Sequence, residues 1–123
     1  MILADSSIWI DHLRSRDAVL SGLLEREEVL IHPFVIGEIA LGSLRQRAAI
    51  LDALYKLPQT AVAREAEVLT LIESASLFGL GIGYVDVHLL ASAKLTNGLR
   101  LWTRDKRLNA AAAQLDLAAA LLN

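Results

Sequence analysis

Four acidic residues stand alone in the sequence, each beside an apolar stretch: Asp5, Glu38, Asp86 and Asp105. Asp5 closes the run Ile2-Leu3-Ala4, and Glu38 lies within Phe34-Val35-Ile36-Gly37-Glu38-Ile39-Ala40-Leu41. Asp86 separates Gly83-Tyr84-Val85 from Val87-His88-Leu89-Leu90, and Asp105 follows Leu101-Trp102-Thr103-Arg104. A carboxylate held near a core is costly unless it is paired or binds a cation. Four of them from four separate segments point to one shared partner, and the simplest partner for clustered carboxylates is a hard divalent metal ion. Such an ion activates a water and stabilises charge on a phosphoryl group during in-line displacement.

The elements that position these acids can be read from periodicity and punctuation. Ile2-Leu3-Ala4 reads as a short buried strand, with Ser6-Ser7 able to cap the helix that carries Ile8, Trp9 and Leu13. Asp17 is placed to cap a second helix through Val19, Leu20, Leu23 and Leu24. Val29-Leu30-Ile31 reads as another strand, and Pro33 fits the first turn of a helix that carries Glu38 and ends near Gly42. Residues 45–57 and 64–78 repeat apolar residues at helical spacing, with Pro58 stopping the first. Thr60-Ala61-Val62 is expected as a third strand. After the glycines at 79, 81 and 83, a helix starts near Tyr84 to Asp86 and ends at Asn97-Gly98. Arg100 to Thr103 is a strand, Lys106 to Gln114 a helix, and Leu115 to Ala118 a last strand. Strands alternate with helices and no hairpin signal occurs, which implies an α/β fold with a mainly parallel central sheet flanked by helices.

In such a sheet, ligands bind outside the carboxyl ends of the strands. Asp5 and Asp105 lie at or just past such ends. Asp86 sits near the first turn of a helix that starts on the same side, and Glu38 lies about a turn and a half into its helix. The four can therefore converge over one edge. Each also has a plainer role open to it. Asp5 can serve only as a helix cap, Asp86 as an N-cap or first-turn acid, and Asp105 as a turn residue paired with Arg104 or Lys106. Glu38 is the hardest to place on a solvated face, because its helix neighbours are apolar.

Length and composition set bounds on the function. A chain of 123 residues is long enough for a single domain, over residues 1–123, with a core of its own. Without cysteine, disulfides and thiolate metal sites are excluded. The N-terminus lacks the basic start and apolar core of a signal peptide, and no apolar run approaches the ~18 residues of a membrane span. The expectation is a soluble, cytoplasmic protein with no membrane partner. The apolar fraction, 54%, exceeds the roughly 45–50% of ordinary domains, and the surplus suggests an interface with a second copy or a partner. Net charge is −2, yet setting the four acids aside leaves ten acids against 12 Lys plus Arg. Net charge is therefore a poor argument against a phosphate-bearing substrate.

Other features carry less. His12, His32 and His88 match no zinc spacing. Gly79-Leu80-Gly81-Ile82-Gly83 misplaces the third glycine of a dinucleotide fingerprint and follows helical rather than strand periodicity. Arg104, Lys106 and Arg107 surround Asp105 and are candidates for phosphate contact; Arg45 and Arg47 are candidates for phosphate or for a protein partner. Trp9 and Trp102 lie in apolar segments and read as core rather than as stacking platforms for bases.

The chain resembles PIN domains, most closely the VapC-type toxins of toxin–antitoxin systems. The matching stretches are Ile2-Leu3-Ala4-Asp5-Ser6-Ser7-Ile8-Trp9-Ile10-Asp11 and Gly37-Glu38-Ile39-Ala40-Leu41-Gly42, then Asp86-Val87-His88-Leu89-Leu90-Ala91-Ser92-Ala93 and Leu101-Trp102-Thr103-Arg104-Asp105-Lys106-Arg107-Leu108. They keep the family's order and span nearly the whole chain. The resemblance implies that Asp5, Glu38, Asp86 and Asp105 are a catalytic, metal-binding quartet and that Ser7 and Thr103 are supporting hydroxyls. It implies an endoribonuclease using one or two Mg²⁺ or Mn²⁺ ions, whose products carry a 5′-phosphate and a 3′-hydroxyl. It further implies a homodimer inhibited by a cognate VapB-type antitoxin. His88 departs from the family, which more usually has a small or apolar residue there. The competing reading is a non-catalytic PIN-like module that binds RNA or protein; such modules typically lose one or more of the acids, and this chain keeps all four.

Overall fold

The computed structural model describes residues 1–121; the last two residues of the expected 1–123 domain lie outside the described residues. Three parallel strands, β1 (Ile2–Ala4), β2 (Val29–Leu30) and β3 (Arg100–Trp102), form a sheet in the order β2-β1-β3. Ile2 pairs with Val29 and Arg100, and Ala4 pairs with Trp102. The central strands are apolar on both faces because both faces are covered: Leu3, Ala4, Leu101 and Trp102 are all buried.

Seven helices surround the sheet among the described residues: α1 (Ser6–Arg14), α2 (Ala18–Glu25), α3 (Pro33–Ala40), α4 (Arg47–Tyr55), α5 (Glu65–Ser74), α6 (Tyr84–Leu95) and α7 (Lys106–Gln114). α1 packs on α3, α3 on α4, and α5 on α6. Their starts follow local chemistry. Asp17 accepts a hydrogen bond from the Leu20 amide and caps α2, as expected. Pro33 occupies the first turn of α3, where its missing N–H costs nothing. The cap of that helix is His32, whose Nδ1 accepts from the Phe34 amide at 3.0 Å.

Two expectations are corrected at the sheet edges. Thr60-Ala61-Val62 is not a strand; contact with the sheet is a single parallel bridge between Ile31 and Gln59. The neighbouring Pro58 accepts from the Ile31 amide but has no N–H to give. Leu115 to Ala118 likewise reduces to one bridge, Leu101 to Ala118, with the chain entering it through Asp116 at φ 58. A third correction concerns α1: its N-cap is Asp5 rather than Ser6 or Ser7.

Candidate active site

Asp5 is where strand becomes helix. Its amide donates to the Trp102 carbonyl at 3.0 Å, extending the β1–β3 ladder by one step, and its side chain then caps α1. One carboxylate oxygen, Oδ1, accepts from the Ser7 amide (3.0 Å), the Ser7 hydroxyl (2.5 Å) and the Ile8 amide (3.3 Å). The other, Oδ2, accepts from the Thr103 hydroxyl. The carboxylate is buried and held from two elements far apart in sequence.

The same two hydroxyls reach across to the β3–α7 turn. Ser7 Oγ accepts from the Arg104 amide at 3.2 Å, and Thr103 Oγ1 accepts from the Asp105 amide at 3.0 Å. Asp105 caps α7, its Oδ1 accepting from the Arg107 and Leu108 amides at 2.9 and 3.1 Å. Two strand ends and two helix starts are thus locked together through Ser7 and Thr103.

Asp86 and Glu38 arrive from helices instead. Asp86 is the third residue of α6, a first-turn position that favours an acid. Burial pushes its carboxyl up to about 6, with the negative charges of Asp5, Glu38 and Asp105 adding to the rise and the Gly83 amide hydrogen bond opposing it. The structure therefore brings Asp5, Glu38 and Asp105 within electrostatic reach of Asp86. It does not gather them to coordination distance: among the described residues, no group of three or more carboxylate or imidazole side chains is close enough to hold a metal ion together. Glu38, half-buried, faces a groove of about 600 Å³ that Ile10, Arg14 and Arg45 also line.

The surrounding cations divide. Arg104, a candidate for phosphate contact, is paired with two acids of the chain. Its guanidinium donates to Asp11 at 2.6 Å and Asp17 at 2.7 Å, and it sits 5.8 Å from the centre of the Trp102 ring. The hydrogen bond to Asp17 heads the interactions that hold it protonated. Arg104 is thus a clamp that ties the β3–α7 turn to α1 and to the start of α2. Lys106 and Arg107 remain exposed at the first turn of α7. Arg107 lies against Gly81, where a Cβ would come within 2.5 Å of its Nη1.

The histidines and the rings of Phe34 and Tyr84 were the least legible. Trp9 and Trp102 are buried, as expected. His32 is buried and neutral, burial and then His88 pushing its pKa down to about 4. His88 is also buried. His32 Nε2 and His88 Nδ1 have no hydrogen-bond partner among the described residues. Phe34 lies edge-on to both, 4.9 Å from His32 and 4.8 Å from His88, and Tyr84 lies 4.8 Å from His88. Phe34 and Tyr84 begin helices at the carboxyl edge of the sheet, which is the sequence signal that could have marked them.

The PIN domain family matches residues 2–114. Ribonuclease VapC32 of Mycobacterium tuberculosis H37Rv is 52% identical over 120 residues, covering 98% of this chain and 97% of the relative. Ribonuclease VapC32 of the CDC 1551 / Oshkosh strain matches to the same extent.

Proposed function

We propose, since this chain belongs to the PIN domain family, that it is a metal-dependent endoribonuclease of the VapC type, a toxin restrained by a cognate VapB-type antitoxin. The 52% identity to ribonuclease VapC32 carries this reading, and the Asp86 carboxyl, raised by burial and by acids from three other segments, supports it. No lysine or arginine is among the groups that shift it, and the neighbouring Arg104 is committed elsewhere. Hard oxygen donors gathered around such a carboxyl suit one or two Mg²⁺ or Mn²⁺ ions. Asp5, Glu38, Asp86 and Asp105 would hold them.

When bound, the metal supplies an activated water and neutralises charge on the phosphoryl group. The protein's own part is placement. Ser7 and Thr103 fix the Asp5 carboxylate in one orientation, and Thr103 also holds the Asp105 backbone. Lys106 and Arg107 take phosphate oxygens of the RNA and set its register across the acids. Large apolar side chains left on the surface, Leu41 and Phe78 among them, support a homodimer or an antitoxin seat. An RNA substrate is compatible with a cytoplasmic site of action.

The test is cleavage of a labelled total RNA pool by antitoxin-free protein with Mg²⁺, with Mn²⁺ and with chelator, beside Asp5→Asn. Discrete fragments that need metal and vanish in the variant are expected. Folded protein that binds metal but cuts nothing would replace this reading with the non-catalytic PIN-like module.

A further inference from the structure

We infer that Phe34 and Tyr84, the rings flanking buried His88, form a platform on which an unstacked nucleobase of the RNA sits beside the acid cluster; this rests on the nuclease reading. The two tryptophans that would ordinarily be sought for this role are 3% and 2% exposed, whereas Phe34 and Tyr84 are 38% and 49% exposed. Both rings stand on the catalytic edge. Phe34 is one turn from Glu38 on the same face of α3 (i, i+4), and Tyr84 is two residues before Asp86 in the first turn of α6.

Each meets His88 edge-on, at interplanar angles of 66° and 89°. Edge-on packing onto a buried residue fixes a ring while leaving surface of it to solvent, which is what a stacking partner needs. His88 stands where the family more usually has a small or apolar side chain, and here it supplies the common wall between the two rings. Charge complements this surface. Arg107 lies against Gly81, in the loop that runs directly into Tyr84, so a cation for the backbone phosphate and a ring for the base share one rim. Base–aromatic stacking tolerates any sequence because every base has a π-face, so the platform orients the strand rather than reading it.

The test uses the full chain as Asp5→Asn in Mg²⁺, with two probes followed by fluorescence anisotropy. One is a labelled single-stranded RNA of random sequence; the other is a ribose–phosphate chain of equal length without bases. The base-bearing strand should bind more tightly. Phe34→Leu and Tyr84→Leu should each lose about tenfold of that preference, while Phe34→Tyr and Tyr84→Phe, which keep a ring, should retain it. In the otherwise wild-type enzyme the Leu variants should raise KM with kcat little changed.

Equal affinity for the two strands, or no binding of either, would overturn the platform. So would a base preference that survives the double Leu variant. A shift to monomer in the Leu variants with RNA affinity intact would assign the surface to a second copy instead. Metal-dependent cleavage with unchanged KM in the double variant would sink the platform and leave the nuclease reading standing.

Discussion

The two halves of the acid cluster are built differently. Asp5 and Asp105 sit where strands turn into helices, and each caps its helix: Asp5 accepts from two backbone amides and from the hydroxyls of Ser7 and Thr103, Asp105 from two backbone amides through one carboxylate oxygen. Glu38 and Asp86 ride on helices that approach from the side, and Asp86 is opposed by three like charges with only the Gly83 amide to offset them. The first half is fixed before any ligand arrives. Asp86 is the buried carboxyl opposed by its neighbours, and so it is the group whose energy changes most when a cation binds. A fixed pair of helix caps beside a carboxyl opposed by its neighbours gives a site that is preorganised and still attracted to metal.

The comparison can be broken most severely at Asp5. Asp5→Asn keeps the α1 cap, because Asn caps as well as Asp, but removes a charge from the rigid half. RNA cleavage should fall at least about a hundredfold, on the scale of losing one preorganised electrostatic group, while the circular dichroism spectrum is unchanged. A collapsed spectrum would show instead that Asp5 serves mainly the fold.

Thr103→Val comes next. It removes the donor to Asp5 and the acceptor for the Asp105 amide while keeping shape. Metal affinity by calorimetry should weaken roughly 10–100-fold, as for other groups that orient a ligand; unchanged affinity would mean that the caps alone hold the two carboxylates. Arg104→Met tests the clamp rather than the chemistry. It takes the charged partner from Asp17, which keeps its hydrogen bond from the Leu20 amide, and should cost about 1–2 kcal/mol, seen as a drop of several degrees in Tm. The KM for RNA should stay close to wild type, and a large rise in KM would return Arg104 to the phosphate contacts.

The smallest effect sharpens the contrast by pH. The folded-state pKa of Asp86, about 6, lies above its unfolded value of 3.8. The folded protein therefore binds the extra proton between those values, and the associated stability is full below about 4 and lost as pH rises through 6. At neutral pH in chelator, Asp86→Asn should melt higher than wild type by the equivalent of about 1 kcal/mol, allowing for screening. The advantage should shrink as pH falls toward 5. The difference between the two proteins is the quantity to follow, because His32, depressed to about 4, acts in the opposite direction over the same range in both. With saturating metal the advantage should reverse. An advantage independent of pH would remove the charge coupling from the account.

Much of the rigid half was legible because its signals are local. A short apolar run followed by an acid and a helical period marks Asp5, Asp105 and the strands before them. Asp17 and Pro33 were readable by the same rule. Arg104 was not: its partners Asp11 and Asp17 lie 93 and 87 residues away, and no local pattern distinguishes a clamp from a phosphate ligand. The segments at 60–62 and 115–118 have strand composition, yet each reaches the sheet through one residue pair, a limit set by neighbouring turns rather than by propensity. His32 as a cap was missed because imidazole is not among the usual capping groups.

Those one-residue bridges have a bearing on self-association. An open parallel sheet presents rows of unpaired amides and carbonyls on both flanks, which invite strand addition by another chain. Here Gln59 occupies one flank beside Ile31 and Ala118 the other beside Leu101. Each is too short to serve as a template itself and sits where an incoming strand would have to begin. In a chain with 54% apolar residues these caps oppose edge-to-edge growth and leave the side-chain surfaces of the helices as the more open faces.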